Sequence, residues 1–411
     1  MSMGGARAVE RCDALGVAPY SDMEGGLFRA YLTPAYSHAQ AVLRGWMEEA
    51  GMAVHLDPAG NIVGRYEGEQ DGPALIIGSH LDSVRDAGRY DGLLGIMLGV
   101  ESVAALHAAG RRMSFPIEVY AFGDEEGSRF PSAMLTSRAV AGTLDPAMLN
   151  TTDCAGVTLD EALRAVSLSK SNFAQAKHAP ALAYLEAHIE QGPVLEAKGL
   201  AVGAVTGIAA QLRFAVSVKG RAGHAGTNSM VLRRDALTAA AVMISKVEEV
   251  ALAGAVDLVA TVGTIEAFPG AANVVPGEVR FSIDVRAGTN ADRDAAARSI
   301  LDECAAIAVA RNVGFESSVL QDLPASPCDP SLVALVDRAI MECGHRPFRL
   351  VSGAGHDAMV MADLCPTAML FIRCEGGISH NPAERVSAED CETALRVMQR
   401  FIDTLGDTAH A

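Results

Sequence analysis

The chain has 411 residues, a length that predicts about two or three domains and excludes small modules held together by disulfides. Half of the residues are hydrophobic and 20% are charged, so the composition is globular rather than disordered, collagenous or coiled coil. The 33 Lys and Arg are outnumbered by 50 Asp and Glu, and the net charge of −17 excludes general binding to nucleic acid or anionic membranes. A small anionic substrate stays compatible with this charge if an Arg binds it locally.

Eight cysteines are spread along the chain without a C-x-x-C pair or the spacing of a zinc ribbon, which predicts reduced thiols. Residues 1–20 include Glu10 and Asp13 and contain no apolar run, so we expect no signal peptide. No segment reaches the roughly 18 uncharged apolar residues of a membrane span. These features together predict a cytoplasmic protein that does not bind membranes.

The first half of the chain alternates between strand and helix patterns. An apolar run at 74–77 leads into the polar segment Gly-Ser-His-Leu-Asp-Ser at 78–83, and a helix pattern covers 92–110. A second apolar run at 117–122 leads into Gly-Asp-Glu-Glu-Gly at 123–127. This order predicts an open α/β sheet whose functional groups gather beyond the carboxyl ends of its strands.

The middle of the chain, from about 211 to 323, has a different pattern. It contains alternating strand-like runs and two helical stretches, predicted at 212–218, 233–250, 258–263, 278–286 and 292–311. We therefore expect an inserted α+β domain at 211–326, with the Pro-rich segment 324–330 as the return linker. Residues 1–210 and 327–411 would form the discontinuous catalytic domain, since 367–372 is a further buried strand followed by a glycine-rich loop.

Six side chains lie in polar, mostly glycine-bearing motifs near predicted strand ends: His80, Asp91, Glu125, Glu126, His188 and His380. Imidazole and carboxylate together suit zinc, manganese, cobalt or nickel, and a pair of such ions needs a bridging carboxylate. Asp91 is the candidate bridge because it precedes a predicted helix, whose N-terminus favours an anion. Taken singly, each His is more often a core or surface residue, Asp91 an N-cap, and the Glu pair a solvated loop.

Four motifs that occur together in a fixed order favour a functional site over these ordinary interpretations of the single residues: GSHLDSV at 78–84, GRYDG at 88–92, GDEEG at 123–127 and ISHNP at 378–382. With these motifs the sequence resembles the M20-type di-metal amidohydrolases. Within them it is similar to the hydantoinase/carbamoylase branch, which includes N-carbamoyl-L-amino-acid hydrolases, β-ureidopropionases and allantoate amidohydrolases. The resemblance extends from about Tyr36 to Leu405, and it implies a di-metal catalytic domain with an inserted lid and dimerisation domain.

The resemblance also implies a role for each motif residue. One of two divalent ions would be held by His80, Asp91 and His188, and the other by Asp91, Glu126 and His380. Glu125 matches the general base, which passes a proton to the leaving nitrogen. Asp82 matches a residue that orients the His80 ring.

Residues of the predicted inserted domain match the family's substrate contacts. His224, in Gly220–Thr227, matches a histidine that donates to the oxygen of the tetrahedral intermediate, although from the residues alone it is an incidental part of a helix-entry loop. Asn273 and Arg286 match residues that bind the substrate carboxylate, a task for which the planar Arg fork is suited. Arg286 could equally be a surface strand residue paired with Asp284.

Two more positions carry weaker matches. Gln211 corresponds to a further polar contact with the substrate. Gly355 lies in a loop, Gly353–Asp357, that corresponds to one supplying main-chain groups near the carboxylate.

The resemblance implies hydrolysis of the ureido C–N bond of an N-carbamoyl-L-amino acid, giving the amino acid, carbon dioxide and ammonia. Allantoate is a rival substrate, since it too combines a ureido group with a carboxylate. An M20 aminoacylase or dipeptidase is a more distant alternative, because peptidase relatives more often place an acidic ligand at the position of His188. A metal-free binding module on the same fold is a fourth. The resemblance further implies a homodimer joined through the inserted domain.

Overall fold

The computed structural model describes residues 4–408, so the predicted outer limits of the catalytic domain, residues 1 and 411, lie outside it. The chain forms two compact units. The first extends to Thr206 and resumes over Pro327–Leu350 and from Ala354 onward. The second comprises Gly207–Ser326 and Val351–Gly353.

The described residues contain sixteen strands and eleven α-helices. The strands are β1 (Ala53–Leu56), β2 (Ile62–Tyr66), β3 (Leu75–His80), β4 (Ile117–Phe122), β5 (Ala183–Ile189), β6 (Val202–Ile208), β7 (Ala210–Lys219), β8 (Gly223–His224), β9 (Val259–Thr261), β10 (Ile265–Phe268), β11 (Val274–Val275), β12 (Glu278–Ala287), β13 (Gly314–Leu323), β14 (Ser326–Pro327), β15 (Arg349–Ser352) and β16 (Thr367–Ile372). The helices are α1 (Gly5–Leu15), α2 (Pro34–Glu49), α3 (Leu93–Ala108), α4 (Leu135–Ala141), α5 (Leu159–Ala165), α6 (Val194–Ala197), α7 (Ala236–Ala253), α8 (Asn290–Ala310), α9 (Pro330–Glu342), α10 (Asp357–Met361) and α11 (Ala388–Thr408).

A nine-stranded mixed sheet organises the first unit, in the order β1-β2-β4-β3-β5-β16-β6-β14, with β15 paired to β6. Its central strands β4, β3, β5 and β16 run parallel to one another and are buried at every position. Burial on both faces is expected of parallel strands that helices cover. The α/β fold class is therefore confirmed.

Helix α3 approaches the central strands unusually closely, because two of its residues have no side chain. A Cβ at Gly95 would lie 2.0 Å from the carbonyl oxygen of Ala187, and one at Gly99 would lie 2.9 Å from Cγ2 of Ile77. The helix packs against β3, β4 and β5. Its N-terminal end is thereby fixed beside the ends of β3 and β5.

The second unit is an antiparallel sheet in the order β10-β12-β7-β13, with β9 also paired to β12, and helices α7 and α8 pack against it. Strand β12 alternates strictly: Val279, Phe281, Ile283 and Val285 are buried, and the residues between them are not. The buried residues join the helices in one hydrophobic core.

Several sequence expectations for this unit need correction. The helix predicted at 233–250 is α7, and it begins three residues later because the Asp235 side chain caps it, accepting from the N–H groups of Leu237 and Thr238. Strands β10 and β13 were not predicted, since their exposed residues break the apolar alternation. Across the described part of the chain, none of the helices is both long and apolar enough to traverse a membrane.

Candidate metal centre

Two histidines face each other at the carboxyl ends of parallel strands of the first unit. His80 ends β3, and its Nδ1 lies 3.0 Å from the carbonyl oxygen of Asp82. His188 lies in β5, and its Nδ1 is 2.8 Å from the carbonyl oxygen of Ile189. A ring nitrogen facing a carbonyl carries a proton, so in the neutral form of each ring the lone pair is on Nε2. The two Nε2 atoms are 3.5 Å apart.

Asp91 completes this first group. Its Oδ1 is 3.0 Å from Nε2 of His188 and 3.5 Å from Nε2 of His80, yet it is buried and accepts no hydrogen bond. Asp91 is not the cap of α3, because the N-cap is Gly92 and no side chain caps the helix. Two imidazole nitrogens and one carboxylate oxygen thus converge on one point, which is the arrangement that a divalent cation requires.

A second group uses the other oxygen of Asp91. Nε2 of His380 lies 3.2 Å from Oδ2 of Asp91 and 3.3 Å from Oε1 of Glu126. Hydrogen bonds to these two carboxylates raise the pKa of His380 to about 10, so the protein environment favours a positive charge here. In each group the ligand atoms lie within 4.8 Å of one another. The side chains present therefore fit two cations that share Asp91.

Glu125 lies beside these groups, and its carboxylate is within reach of both His80 and Glu126. The side chain is buried, and burial raises its pKa well above the ordinary value although the neighbouring His80 opposes the shift. A carboxylate that holds a proton readily and touches the metal-binding groups is placed to move protons there.

Asp82 acts differently from the sequence expectation. Its carboxylate is 3.9 Å from Nδ1 of His80, too far for a hydrogen bond, and its main-chain carbonyl contacts the ring instead. The carboxylate accepts from the N–H groups of Glu125 at 3.2 Å and Glu126 at 3.3 Å. Burial raises the pKa of Asp82 to about 6. One residue thus orients His80 through its main chain and the Glu pair through its side chain.

Sequence reasoning missed the side chains that hold Asp91. Oδ2 of Asp91 accepts from Oγ of Ser379 at 2.9 Å and from Nε2 of Gln191 at 3.0 Å. Gln191 and His380 both have positive φ angles, 57° and 53°, which are uncommon for residues other than glycine and concentrate at functional sites. Both missed residues lie in motifs with a histidine, Gln191 in Ala187–Gly192 and Ser379 next to His380, but nothing in the sequence shows what they contact.

In the second unit, the structure brings His224 and Asn273 together. His224 lies in the short strand β8, opposite Val274 of β11, and both His224 and Asn273 are exposed. The N–H of Ala225 donates to the carbonyl oxygen of Asn273 at 2.9 Å. The expected helix-entry loop is therefore a two-stranded ribbon, and residues 233–235 precede the helix rather than belong to it.

Gln211 and Arg286 are also neighbours, opposite each other on β7 and β12. Both donate to Asp284, Gln211 through Nε2 at 2.7 Å and Arg286 through Nε at 2.8 Å. Arg286 also donates through Nη1 to the carbonyl oxygen of Gly353. The pairing with Asp284 that the sequence left open is thus present. Gly355 lies in the first unit, exposed, two residues before α10.

Fold and site together define a hydrolase with a candidate metal centre, and comparison with known proteins identifies its family. Residues 76–404 match Peptidase family M20/M25/M40, and the chain belongs to this family. The family is metal-dependent, in accordance with the groups around Asp91.

Individual proteins with similar sequences or structures show which members of the family this chain resembles. The chain is 41% identical to the N-carbamoyl-L-amino acid amidohydrolase of Geobacillus stearothermophilus, over 92% of this chain and 93% of that protein. It is 39% identical to the allantoate deiminase of Arabidopsis thaliana, over 97% of this chain and 82% of that protein. A crystal structure of a hydantoinase/carbamoylase family amidase from Burkholderia ambifaria matches with a TM-score of 0.90 and 36% identity, covering 98% of each chain.

Proposed function

We propose that this chain hydrolyses the ureido C–N bond of an N-carbamoyl-L-amino acid and releases the free amino acid, carbon dioxide and ammonia. The observation that carries the proposal is the arrangement of two groups of possible metal ligands that share Asp91. The carboxylate of Glu125 lies beside these two groups and belongs to neither of them. The name of the Geobacillus relative supports the same substrate class.

In the proposed mechanism, His80, Asp91 and His188 hold one divalent ion, and Asp91, Glu126 and His380 hold the other. Zinc, manganese, cobalt and nickel all suit these donors, and such ions polarise a carbonyl and lower the pKa of water. Glu125 would accept the proton that the attacking water loses and transfer it to the nitrogen of the amino acid as that C–N bond breaks. The carbamate released with the amino acid then decomposes to carbon dioxide and ammonia. Asp82 keeps Glu125 in place through its main-chain N–H.

Four side chains and one main-chain loop would recognise the substrate. Arg286 and Asn273 would bind its carboxylate, with Gln211 as a further polar contact and the loop at Gly355 supplying main-chain groups. His224 would donate a hydrogen bond to the oxygen that becomes negatively charged. Because Nε and Nη2 of Arg286 donate to Asp284 and Nη1 donates to Gly353, the substrate carboxylate would take the second N–H of each Nη atom.

Allantoate is the second candidate substrate. The allantoate deiminase of Arabidopsis is nearly as similar to this chain as the carbamoylase of Geobacillus. Both substrates offer a ureido carbon and a carboxylate, so none of the residues named above separates them.

A substrate panel tests the proposal: N-carbamoyl-L-amino acids, N-carbamoyl-β-alanine, allantoate and dipeptides, each assayed for released ammonia or amino acid with added zinc, manganese, cobalt or nickel. We expect turnover of carbamoyl amino acids and none of dipeptides. Turnover of allantoate alone would assign the second candidate. Cleavage of dipeptides without ureido turnover would refute both.

Chelation tests the dependence on metal. Removing the ions should abolish turnover, and His80→Ala, Asp91→Ala and His380→Ala should lose metal together with activity. Asp91→Ala should bind least metal, because its carboxylate belongs to both groups. Full activity of a protein shown by elemental analysis to be metal-free would refute the di-metal mechanism.

We also propose that the protein acts in the cytoplasm as a homodimer joined through the second unit. All eight cysteines are free. Sedimentation would measure the oligomeric state, and a monomer at working concentration would refute the dimer.

A further inference from the structure

Glu384 is a buried carboxylate that no motif or resemblance assigned, and it lies directly behind the candidate metal centre. The residue is 1% exposed. Its Oε1 accepts from the main-chain N–H groups of Tyr90 at 2.8 Å and Asp91 at 3.2 Å. One oxygen therefore fixes the main chain on both sides of the Tyr90–Asp91 junction.

The other oxygen of Glu384 reaches the loop that carries His380. Oε2 lies 3.2 Å from the hydroxyl of Ser379, which also contacts Oδ2 of Asp91 at 2.9 Å. The N–H of Glu384 donates to the carbonyl oxygen of Asn381 at 3.0 Å. Glu384 thus connects two loops that are far apart in the sequence, one carrying Asp91 and the other carrying His380.

A glycine makes room for this carboxylate. A Cβ at Gly88 would lie 2.2 Å from the carboxyl carbon of Glu384 and 2.3 Å from its Oε1. Distances below about 3 Å are not tolerated between such atoms, so any larger residue at position 88 must displace Glu384.

We propose that Glu384 is a positioning residue that holds Asp91 and His380 at the separation needed to bind a cation between them. The inference depends on the proposed di-metal site, and it concerns ion binding rather than the choice of substrate. It assigns Glu384 no contact with the ion or the reacting atoms. Its effect should fall mainly on the group of Asp91, Glu126 and His380, because within the described residues neither His80 nor His188 forms a hydrogen bond with Glu384.

The test measures ion binding directly. Purified parent and variant proteins are loaded with zinc or manganese, dialysed against graded chelator, and analysed for ions per chain. Glu384→Ala should retain one ion and bind the other about tenfold to a hundredfold more weakly, the range for losing an outer hydrogen-bond partner of a metal ligand. Glu384→Gln should remain close to the parent, because its amide oxygen can accept from both N–H groups.

Two further variants test the same relationship from the neighbouring positions. Gly88→Ala should imitate Glu384→Ala by displacing the carboxylate. Ser379→Ala should have a smaller effect, since only the link through the hydroxyl is lost. These variants also keep the proposal testable if Glu384→Ala does not fold.

The matched control is Asp57→Ala. Asp57 is likewise buried and accepts from main-chain N–H groups, those of Ala59 and Asn61, but its side-chain hydrogen bonds stay within its own turn. This variant should lose thermal stability and keep both ions. The proposal is overturned if Glu384→Ala and Gly88→Ala retain both ions at parental affinity, or if Asp57→Ala loses ions equally. No ureido acid is used, so the result does not depend on the proposed substrate.

Discussion

The main chain of Gly92 lies against the ring of His80, so that a Cβ at position 92 would be 2.4 Å from Nε2. Gly92 also has a φ of 67°, a left-handed conformation that favours glycine. The residue directly after Asp91 therefore has to be glycine for two reasons, one of backbone conformation and one of space for a metal-binding ring.

Substituting Gly92 should disrupt the metal centre more than it disrupts the fold. In Gly92→Ala the new methyl group would displace His80, and we expect loss of an ion and of most activity. Gly110→Ala is the control, because Gly110 has a similar φ of 63°, follows the other end of α3 and has open space around it. Both variants should lose about 1–2 kcal/mol of stability, but only Gly92→Ala should lose metal. Equal metal content in the two variants would contradict this.

Substitutions at Glu125 and Glu126 should have different effects, because Glu125 is expected to carry a proton and Glu126 to bind metal. Glu125→Gln should keep both ions and bind substrate. Its kcat should fall by about a hundredfold to ten-thousandfold or more, as when a general base is lost. Glu126→Gln should instead lose one ion, since Glu126 contacts His380. Elemental analysis beside steady-state kinetics distinguishes them. Metal loss from Glu125→Gln with full occupancy in Glu126→Gln would reverse the two roles.

Arg286 should determine whether a carboxylate is required. We expect Arg286→Lys to lower kcat/KM for carbamoyl amino acids, and Arg286→Ala to lower it by about tenfold to a hundredfold, as for a lost hydrogen bond to a charged group. A carbamoyl amino-acid amide should be a poor substrate for all three proteins and nearly indifferent to the change.

Arg213→Ala is the control for Arg286, because Arg213 also pairs with Asp284, at 2.7 Å. If it lowers kcat/KM as much as Arg286→Ala does, the network around Asp284 is structural. The same conclusion follows if Arg286→Ala impairs acid and amide substrates equally while the protein stays folded.

A partly buried ion pair between Glu118 and His178 should make stability depend on pH. Nε2 of His178 is 2.8 Å from Oε2 of Glu118. Burial is the largest single influence and opposes both charges. The hydrogen bond and charge of the partner, with the Ala179 carbonyl for His178 and Arg65 for Glu118, together outweigh it, raising the pKa of His178 above 6.5 and lowering that of Glu118 below 4.5. The Glu118 contribution is present above about pH 4.5, and the His178 contribution below about pH 6.5, so the pair stabilises most between these values.

Chemical unfolding of His178→Gln at pH 6 and pH 9 measures this effect. The variant should lose on the order of 1 kcal/mol relative to the parent at pH 6 and less at pH 9, because stabilisation from a raised histidine pKa is lost as the pH rises through that pKa. His38→Gln, at an exposed position of α2, controls for loss of a histidine as such. A destabilisation of His178→Gln that is the same at both pH values would show that the ion pair contributes nothing.

The sequence predicts the parts of the fold whose pattern is local. The buried strands Ile117–Phe122 and Thr367–Ile372 have the predicted limits, because each is a mostly apolar run followed by glycine or a polar residue. Strand β13 escaped prediction because its Ser-rich, exposed residues form a strand only through pairing with β7.

In the candidate site, too, only residues that stand in a local sequence pattern could be predicted. His80, Asp91, Glu126, His188 and His380 could be named because each stands in a short motif, and the structure brings them together. Glu384 could not, because its partner Asp91 is nearly three hundred positions away and a lone Glu after Asn-Pro-Ala has no local signature. The role of the Asp82 carboxylate was missed for a related reason. Its oxygens accept hydrogen bonds from main-chain N–H groups, which every residue except proline has, so no sequence motif marks the contact.

The place of β16 in the sheet has a consequence for biosynthesis. This strand pairs with β5 and carries the loop of His380, so a ligand from near the end of the chain joins four that are made long before it. Synthesis proceeds from the N-terminus, and a chain still emerging from the ribosome has no closed centre to retain two ions. The full set of ligands exists only in the folded state, so bound metal adds to the free energy of unfolding by mass action. A nascent or truncated chain without this last strand lacks that stabilisation and should be the form that proteases remove.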